Sequence, residues 1–511
     1  MSNSENSKRI AKNTFVLYFR MLFLMIIALY TSRVILDALG VDDYGIYNVV
    51  AGFVLMFNLI SSALSGASSR FLNFEMGKNN PQRLNLVFST TIIIQWSLAF
   101  IVFILAELIG VWYVNNIMVI PIERMTAANW CFQLSVLDFC VTLITVPYNA
   151  CIIAHEDMKT FAYVSIFEGI AKLGISILVY VALFDGLIFY AISLFLIKLI
   201  VCLCYQIFCK RHYCECTFRM RYDQPLLMHM LAYSVWHLIG NGAGVLKTHG
   251  INVVLNLFFG PSVNAARGIA TQVEGAVGQF AGNFMMAMNP QITKSYANSD
   301  YDYMFKLVRS GSRFSYYLMA IISFPIIINC HYLLSMWLTK VPEYTVIFTQ
   351  LTLICALIAT ITKPLVTAQN ATGNVRNYQI VVGGVLLLNL PLSYIFLKLG
   401  FSPEIVIIVA ILVELFVLLT RIIMVKYTIK EFSRFDYLKN VCLNCMLVSI
   451  ASLLIPSLYR YFADETILSF VVCCLLTVVS STLCIYYLGC DKSEREIVLV
   501  YIKKIHSKIK K

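Results

Sequence analysis

Long apolar segments recur along the whole chain, and they constrain its fold more than any other feature. A helix needs about 20 mostly apolar residues to cross the hydrocarbon core of a membrane. When polar residues, Pro and Gly are taken as boundaries, fourteen such segments are found, at 11–32, 44–69, 85–110, 126–150, 159–182, 184–208, 226–248, 262–289, 312–333, 345–367, 376–397, 402–425, 440–459 and 465–488. The sequence therefore predicts an all-α integral membrane protein with about 14 transmembrane helices.

The composition agrees with this prediction. Of the 511 residues, 59% are apolar and only 13% are charged, whereas a soluble globular protein has about 45–50% apolar and about 25% charged residues. The mean hydropathy is +0.78. So little charge cannot cover a water-soluble surface, which argues against a soluble enzyme, a disordered protein and a nucleic-acid-binding domain. The formal charge of +12 is accordingly interpreted as a membrane feature, and nucleic acid is not an expected partner.

The distribution of Lys and Arg predicts how the chain is oriented. Cytoplasmic loops of membrane proteins are enriched in these residues. If the segments alternate in direction, 27 of the 39 cations lie on the side of the N terminus and 5 lie on the other side. This asymmetry predicts that both termini are cytoplasmic and that the number of spans is even. The first apolar segment lacks a small-residue cleavage site, so it is expected to be a retained span.

Two pairs of similar segments suggest an internal duplication. LGV at 39–41 and FGP at 259–261 each open a span rich in small residues, 220 residues apart, and the Pro-led turns at 147–159 and 364–376 lie 217 residues apart. Chance similarity between apolar segments is the alternative, but two nearly equal offsets favour duplication. Because six spans fill each half, the repeat is parallel and predicts two pseudo-symmetric six-helix bundles. Such halves enclose a central path in secondary transporters.

This repeat divides the chain into an N-terminal six-helix bundle (1–210), a C-terminal six-helix bundle (211–430), two extra transmembrane helices (431–490) and a basic cytoplasmic tail (491–511). The tail carries seven cations with apolar residues between them. This pattern predicts an amphipathic helix on the inner leaflet, and a solvated terminus is the alternative.

Helix-breaking residues within the spans are candidate conformational hinges. Pro147 and Pro364 occupy corresponding places near the ends of their spans. Each removes one backbone hydrogen bond and so favours a bend. Gly240, Gly242 and Gly244 interrupt the seventh span.

Cations inside the spans are candidates for substrate binding, because ionisable groups are costly at bilayer depth and are usually functional. Arg20 lies about a third of the way into the first span, and Lys247 and Arg267 lie in the seventh and eighth. These three predict a positively charged central cavity, with Arg33 at its outer rim. Arginine stays charged and binds phosphate oxygens bidentately. Separate structural ion pairs are the alternative.

Four acids inside the spans are candidate ion-coupling residues: Asp138, Glu168, Glu274 and Glu414. Glu168 and Lys172 are four residues apart, so they are expected to pair on one helix face. Glu414 lies deep in the twelfth span with no cation nearby in sequence. It is expected to be either protonated or paired with a residue of another helix.

The 16 cysteines are scattered, and most lie inside apolar runs, where they act as small hydrophobes. Cys209, Cys214 and Cys216 near His212 form the one dense group. A metal site is the alternative here, but their spacing fits no standard metal pattern, so we expect ordinary reduced thiols, no metal and no cofactor. The sequence contains no HExxH, GxxxxGKS/T or GxSxG motif, and its loops are short. An enzyme is therefore not expected.

Several motifs together are typical of one group of transporters. They are TSRVIL at 31–36, LGVDDYGIYN at 39–48, SGASSR at 65–70, the Pro-led turn at 147–159, the block 258–270 and NPQI at 289–292. With these motifs the chain resembles the MOP flippase superfamily, specifically its polysaccharide branch of Wzx-type O-antigen and capsule transporters. The likeness covers nearly the whole chain.

The resemblance implies alternating access between the two bundles of a MATE-like fold. It implies that the substrate is an oligosaccharide repeat unit linked to undecaprenyl pyrophosphate, which crosses the bacterial inner membrane through a cationic lumen. Membrane lipid and the polysaccharide polymerase machinery are the partners that it implies. Arg20, Arg33, Lys247 and Arg267 occupy places comparable to the cations that this branch carries in spans 1, 2, 7 and 8.

Other functions remain open. A peptidoglycan lipid-precursor flippase also moves a pyrophosphate lipid. A cation-coupled multidrug exporter of the same fold would be expected to carry an acid in the first span, where this chain carries Arg20. A membrane enzyme such as a repeat-unit polymerase is disfavoured by the short outer loops.

Overall fold

The structure is a computed structural model that describes residues 3–55, 58–78, 80–116, 120–218, 223–259, 261–338, 341–464, 466–491 and 494–496, and no strand occurs among them. The helices are α1 (Asn3–Leu55), α2 (Asn58–Gly77), α3 (Pro81–Asn116), α4 (Ile122–Ala154), α5 (Met158–Val181), α6 (Gly186–His212), α7 (Gln224–Phe259), α8 (Pro261–Ala297), α9 (Tyr301–Ile328), α10 (Cys330–Trp337), α11 (Thr345–Thr372), α12 (Arg376–Lys398), α13 (Ile405–Thr428), α14 (Arg434–Phe462) and α15 (Ile467–Gly489).

The predicted all-α membrane fold is confirmed. Ten helices in the described part of the chain are long and apolar enough to cross a membrane, namely α3 to α6, α9 and α11 to α15. Helices α1, α2, α7 and α8 cover the other four predicted spans, and the count of fourteen stays a prediction. Helices α7 and α8 contain 36 and 37 residues and run past their predicted ends. Polar side chains do not end them, because helical hydrogen bonds are made within the backbone.

The outward faces of the C-terminal helices carry large apolar side chains. Leu454 on α14 and Leu468 on α15 are 64% and 75% exposed, and Leu458 and Leu475 are similarly exposed. Soluble proteins rarely expose a contiguous apolar surface of this kind. Lipid would cover these faces in a bilayer.

The chain divides into two compact units. Unit 1 comprises Met1–Gly242 and Met286–Asp300, and unit 2 comprises Ala243–Met285 and Tyr301–Lys511. The division by sequence repeat into 1–210, 211–430, 431–490 and 491–511 stays a prediction.

Unit 1 is organised around α4, the most buried of the ten spans, which packs against α2, α3 and α6. Its centre is a cluster of apolar side chains that includes Val50, Val102, Phe132, Leu143 and Leu187. Helix α5 packs along α1. Helices α1 and α5 are therefore held side by side in unit 1.

Unit 2 is built around α11 and α13, which pack on each other, while α9 packs on α11 and α12 packs on α13. Buried side chains such as Leu255, Phe348 and Val406 fill the space between the helices. The two extra C-terminal helices α14 and α15 pack on each other and on α9.

The start of the basic tail is tied to α9 by charge. Arg313 has a side chain only 4% exposed, and its Nη2 lies 2.8 Å from both Asp491 Oδ2 and Glu494 Oε1. The hydrogen bond from Arg313 lowers the pKa of Asp491 below its usual range. The predicted amphipathic helix falls mostly on residues 497–511, which lie outside the described part of the chain.

The predicted hinge residues lie in different surroundings. Pro147 is buried within α4, whereas Pro364 lies in the first turn of a helical segment that starts again after a break at Thr362. A proline in a first turn removes no helical hydrogen bond. Helix α7 runs unbroken through Gly240, Gly242 and Gly244. A hinge role for these residues stays a prediction.

Two polar ties hold the ends of unit 1. At one end, Arg124 forms ion pairs with Asp43, from the LGVDDYGIYN motif, and with Asp185. Asp185 also caps α6 by accepting hydrogen bonds from the backbone N–H groups of Leu187 and Ile188. The tie therefore holds the start of α6 next to the second part of α1.

The other tie is centred on Glu156, whose side chain is 1% exposed. Its carboxylate lies 2.7 Å from Lys294 Nζ and 3.1 Å from Arg9 Nε, and it accepts a hydrogen bond from Gln291 at 2.7 Å. Its backbone carbonyl accepts a hydrogen bond from Asn13. Glu156 has a φ of 61°, a strained value for a residue with a side chain, and these contacts stabilise it.

Helix α1 is interrupted at Gly40, whose φ of 76° and ψ of 173° lie in a region that is essentially restricted to glycine. The predicted Gly-led turn at 39–41 forms here. Its predicted counterpart at Gly260 lies outside the described residues. A Cβ added at Gly40 would meet no atom within 4 Å, so a substitution here tests backbone strain without a steric clash.

We expect Gly40→Ala to lower the free energy of unfolding by about 1–3 kcal/mol, because alanine is strained at this φ and ψ. Gly174→Ala in α5 is the control, since Gly174 also has open space around it but has helical dihedral angles, where alanine is favoured by about 1 kcal/mol. Thermal unfolding of both variants in detergent measures the difference. A Gly40→Ala protein as stable as the Gly174→Ala protein would contradict the assigned turn.

Candidate functional site: buried charges in each unit

A buried ion pair joins α7 to α13 in unit 2. Lys247 Nζ lies 2.6 Å from Glu414 Oε2, and the two side chains are 16% and 4% exposed. Of the two states expected for Glu414, the structure shows the paired one. The partners lie 167 residues apart in sequence, so no local pattern predicts the contact.

This ion pair lies beside a cavity of about 150 Å³ whose wall includes Lys247, Arg267 and Glu274. Residues of α7, α8, α11 and α13 line the cavity. Helix α8 presents Arg267, Thr271 and Glu274 at i, i+4 and i+7, which lie on one helix face. The remaining lining residues are Ile251 on α7, Thr352, Cys355, Ala356 and Ala359 on α11, and Ile407 and Ala410 on α13. The small alanines leave room for the cavity.

Arg267 is buried at 7% exposure, and its Nε donates a hydrogen bond to Asn252 Oδ1 at 3.0 Å. No carboxylate lies within ion-pair distance of Arg267 among the described residues. Glu274 interacts electrostatically with Arg267, Lys247 and Lys363. A residue seven positions away on a helix lies about 10 Å along the axis, which explains why Arg267 and Glu274 line the same cavity without direct contact.

The charge of this cluster is more balanced than the sequence predicts. Three cations, Lys247, Arg267 and Lys363, are near two carboxylates, Glu274 and Glu414. The cavity is therefore lined by charges of both signs. Its excess positive charge is small and is concentrated at Arg267, because Lys247 already has a close partner.

Unit 1 contains a second cluster. Glu168 Oε1 lies 2.8 Å from Lys172 Nζ and 3.4 Å from Lys198 Nζ. The expected pair of Glu168 and Lys172 is thus present. Asp138 lies close enough to interact electrostatically with both lysines and with Glu168. These charges lie on α4, α5 and α6, which are three helices that pack on one another in unit 1.

Arg20 belongs to unit 1 and lies near this cluster. Its guanidinium packs over the ring of Phe161, 4.4 Å from the ring centroid, which is a favourable cation–π geometry. It also interacts electrostatically with Glu168 and Tyr205. Its Nε is buried without a hydrogen-bond partner in the part of the chain that the structure describes. Buried donors are nearly always satisfied by protein or water, so this atom has capacity for a further contact.

The predicted site residues are thus divided between the units. Lys247, Arg267, Glu274 and Glu414 come together in unit 2, and Asp138, Glu168 and Arg20 do so in unit 1. The side chain of Arg33 lies outside the described residues. A single cationic lumen shared by Arg20, Arg33, Lys247 and Arg267 stays a prediction.

Lys198 was not among the predicted site residues. It is the one charged residue in the apolar stretch 186–208, so the rule that selected the other intramembrane charges also selects it. Asp43 and Arg124 were missed because each lies near a predicted span end, where a charge is unremarkable.

Comparison with known proteins agrees with the fold. Residues 248–395 match the MatE family model, and no curated protein sequence matches the chain. A MATE transporter crystallised in a straight conformation superposes with a TM-score of 0.71 at 12% identity, over 83% of this chain and 97% of that one. A MATE transporter variant from Vibrio cholerae, VcmN, gives 0.67 at 16% identity, over 84% and 99%.

A MOP superfamily transporter from Pyrococcus furiosus, described as having a binding pocket of reverse polarity, superposes with a TM-score of 0.68 at 11% identity, over 83% of this chain and 96% of that one. At such identities the superpositions establish the fold alone. The chain therefore has the fold of the MATE transporters, and its residues 248–395 match the MatE model.

Proposed function

We propose that this chain is a flippase that moves undecaprenyl-pyrophosphate-linked oligosaccharide repeat units across the bacterial inner membrane by alternating access. The observation that carries the proposal is the buried guanidinium of Arg267 in the wall of the unit 2 cavity. Both termini would lie in the cytoplasm, as the Lys and Arg distribution predicts.

A buried arginine needs a partner for its charge. Arginine does not deprotonate in proteins, and a buried charge without a counter-ion costs several kcal/mol. Among the described residues, Arg267 has an amide oxygen as its neutral partner. A phosphate group would supply both negative charge and paired acceptor oxygens, which match the guanidinium fork. The site is thus better suited to an anionic headgroup than to a cationic drug.

The size of the cavity supports a compact group. Ligand pockets usually have volumes of about 300–1,000 Å³, whereas this cavity has about 150 Å³. It has room for part of a pyrophosphate group but not for several sugars. The sugars would pass only when the transporter changes conformation, as alternating access requires.

The ion pair between Lys247 and Glu414 gives the site two states. With the pair closed, Lys247 is neutralised by Glu414. When a phosphate enters and replaces Glu414 as the partner of Lys247, Lys247 becomes available to the substrate. Arg20, which retains an unsatisfied Nε, is the corresponding candidate in unit 1, and Arg33 would act at the outer rim. A peptidoglycan lipid precursor has the same pyrophosphate and is the nearest alternative substrate.

One observation favours a second candidate, a cation-coupled exporter. Glu274 lines the cavity, and its carboxylate forms no ion pair within 4 Å among the described residues. Together with Asp138, Glu168 and Glu414 it is a candidate for ion coupling. The two functions differ in the substrate that they move, so a transport assay separates them.

In proteoliposomes, the flippase proposal predicts that the wild type moves a lipid-linked pyrophosphoryl sugar. It also predicts that a proton or sodium gradient drives no accumulation of a fluorescent cationic drug. The exporter hypothesis predicts that the gradient drives drug accumulation and that Glu274→Gln abolishes it. If the drug accumulates and the lipid-linked sugar does not move, the flippase proposal is rejected and the exporter function is supported.

We expect Arg267→Ala to reduce polysaccharide export about 10–100-fold, because a hydrogen bond to a charged group contributes about 1.5–3 kcal/mol. Arg267→Lys should fall between this variant and the wild type, because lysine keeps the charge but lacks the fork. Arg421→Ala is the control, since Arg421 lies on α13 in the same unit and donates to Thr362 rather than lining the cavity.

Surface polysaccharide and lipid-linked intermediates are measured in cells that depend on this chain, with values normalised to the amount of each variant in the membrane. Equal export by the Arg267→Ala and Arg421→Ala proteins would exclude Arg267 as a substrate contact.

We expect Lys247→Met to destabilise the protein by about 3–5 kcal/mol, because Glu414 then remains buried without its partner. The double variant Lys247→Met with Glu414→Leu should recover most of this stability, since apolar residues can replace a buried ion pair. Thermal unfolding in detergent measures stability, and the same variants are assayed for export. Recovery of stability without recovery of export would assign the pair a transport role, whereas equal stability of the single and double variants would show that the pair is not formed.

A further inference from the structure

The turn after α6 brings a group of sulfur, nitrogen and oxygen ligands to one end of unit 1. Cys151 and His155 lie four residues apart at the end of α4, so they share one helix face. Glu215 and Cys216 follow α6 in a short 3-10 turn, Cys214–Cys216. The cluster joins two parts of the chain that are about 60 residues apart in sequence.

The atoms of this cluster lie close together. One ligand atom each from Cys151, His155 and Glu215 lies within 4.8 Å of the other two. His155 Nε2 is 2.5 Å from Glu215 Oε1, and Cys151 Sγ is 3.6 Å from the same oxygen. Cys216 Sγ lies 3.3 Å from Cys151 Sγ. Cys151, Glu215 and Cys216 are buried, and His155 is partly buried.

Cys151, His155 and Glu215 have the spacing of three ligands of a tetrahedral metal site, and Cys216, next to Cys151, is the candidate for the fourth. Zinc binds sulfur at about 2.3 Å and nitrogen or oxygen at about 2.0–2.2 Å, so ligand atoms around it are about 3.3–3.8 Å apart. The distance of 3.6 Å from Cys151 Sγ to Glu215 Oε1 falls in this range, and the two sulfurs would move apart by about 0.5 Å to bind one zinc ion. The contact between His155 and Glu215 would lengthen by less than an ångström when a metal ion replaces the shared proton.

The surrounding contacts hold the cluster in place. The imidazole of His155 stacks on the ring of Tyr213 at 3.9 Å with an interplanar angle of 4°. Asn85 Nδ2 on α3 donates to the backbone carbonyls of Glu215 and Thr217 at 2.8 and 2.7 Å. These contacts fix the ring plane of His155 and the backbone of the turn that carries Glu215.

The nearby histidine in sequence is not part of the cluster. His212 is exposed, stacks on Phe208 and contacts the backbone carbonyl of that residue. Of the dense group of cysteines, Cys216 lies beside Cys151 of α4, a contact that their spacing along the chain cannot predict.

We propose that Cys151, His155, Glu215 and Cys216 bind one Zn²⁺ ion. Thiolate and imidazole ligands in tetrahedral geometry select zinc over Mg²⁺ and Ca²⁺. The thiols lie on the predicted cytoplasmic side, where they stay reduced. This proposal rests on the geometry of unit 1 alone and is independent of the proposed transport function.

The zinc ion would fix the turn between α4 and α5. Glu156, the residue after His155, binds Arg9 and Lys294, and the carbonyl of His155 accepts a hydrogen bond from Arg9 at 2.6 Å. A metal bond to His155 would therefore stabilise the strained conformation of Glu156 and, through it, the positions of α1 and the end of α8 in unit 1.

The test uses the full chain, purified in detergent under reducing conditions. We expect about one Zn²⁺ per chain by elemental analysis, and Co²⁺ in place of Zn²⁺ should give thiolate-to-metal charge-transfer absorption. Cys151→Ser and His155→Gln should each lower Zn²⁺ affinity by more than about 100-fold, beyond the 10–100-fold effect of an outer contact. Cys204→Ser is the control, because Cys204 is exposed on α6 and is not one of the four proposed ligands.

Two measurements on the wild type keep the test valid if the variants fold poorly. Zn²⁺ should raise the midpoint of thermal unfolding and also the temperature at which the buried thiols of Cys151 and Cys216 become open to alkylation, whereas Cys204 should react equally with and without Zn²⁺. Absence of both the charge-transfer band and these effects of Zn²⁺ would overturn the proposal. So would a Cys151–Cys216 disulfide, without zinc, in protein isolated without reductant.

Discussion

The cost of placing a charge in an apolar interior governs the arrangement of polar residues in this structure. The intramembrane carboxylates Asp138, Glu168, Glu274 and Glu414 each lie near one or more cations, and the closest contacts are those of Glu414 with Lys247 and of Glu168 with Lys172 and Lys198. A charge removed from water must recover its hydration energy from a partner. The helices that carry these residues are therefore positioned by charge as well as by apolar packing.

This requirement also distinguishes Arg267 from the other cations. Lys247 has a carboxylate as its close partner and Arg267 has an amide, although both face the same cavity. The difference gives the site one cation engaged with the protein and one available to an anion. Under the proposed function, the transporter must bind its substrate without holding it permanently, and an ion pair that opens beside a fixed cation would provide a physical means for this.

Local patterns predicted much of the fold. Hydropathy located the helices, since apolar runs of about 20 residues form helices wherever they enter lipid, and the spacing of Glu168 and Lys172 predicted their contact. The turn at Gly40 follows from a glycine between two apolar runs. Lys198 could also have been predicted, as a charged residue within an apolar run. The ends of α7 and α8 could not be predicted in this way, because hydropathy falls at Lys247 and at Asn289-Pro290 while both helices continue.

The sequence by itself determined that the chain is an all-helical membrane protein and which charged residues lie within its spans, because both follow from local composition. Only the tertiary structure decided the partners. Lys247 and Glu414 are 167 residues apart, and His155 and Glu215 are 60 apart, so their contacts depend on how helices pack. Packing is set by the fit of many side chains at once, and no short segment of sequence contains that information.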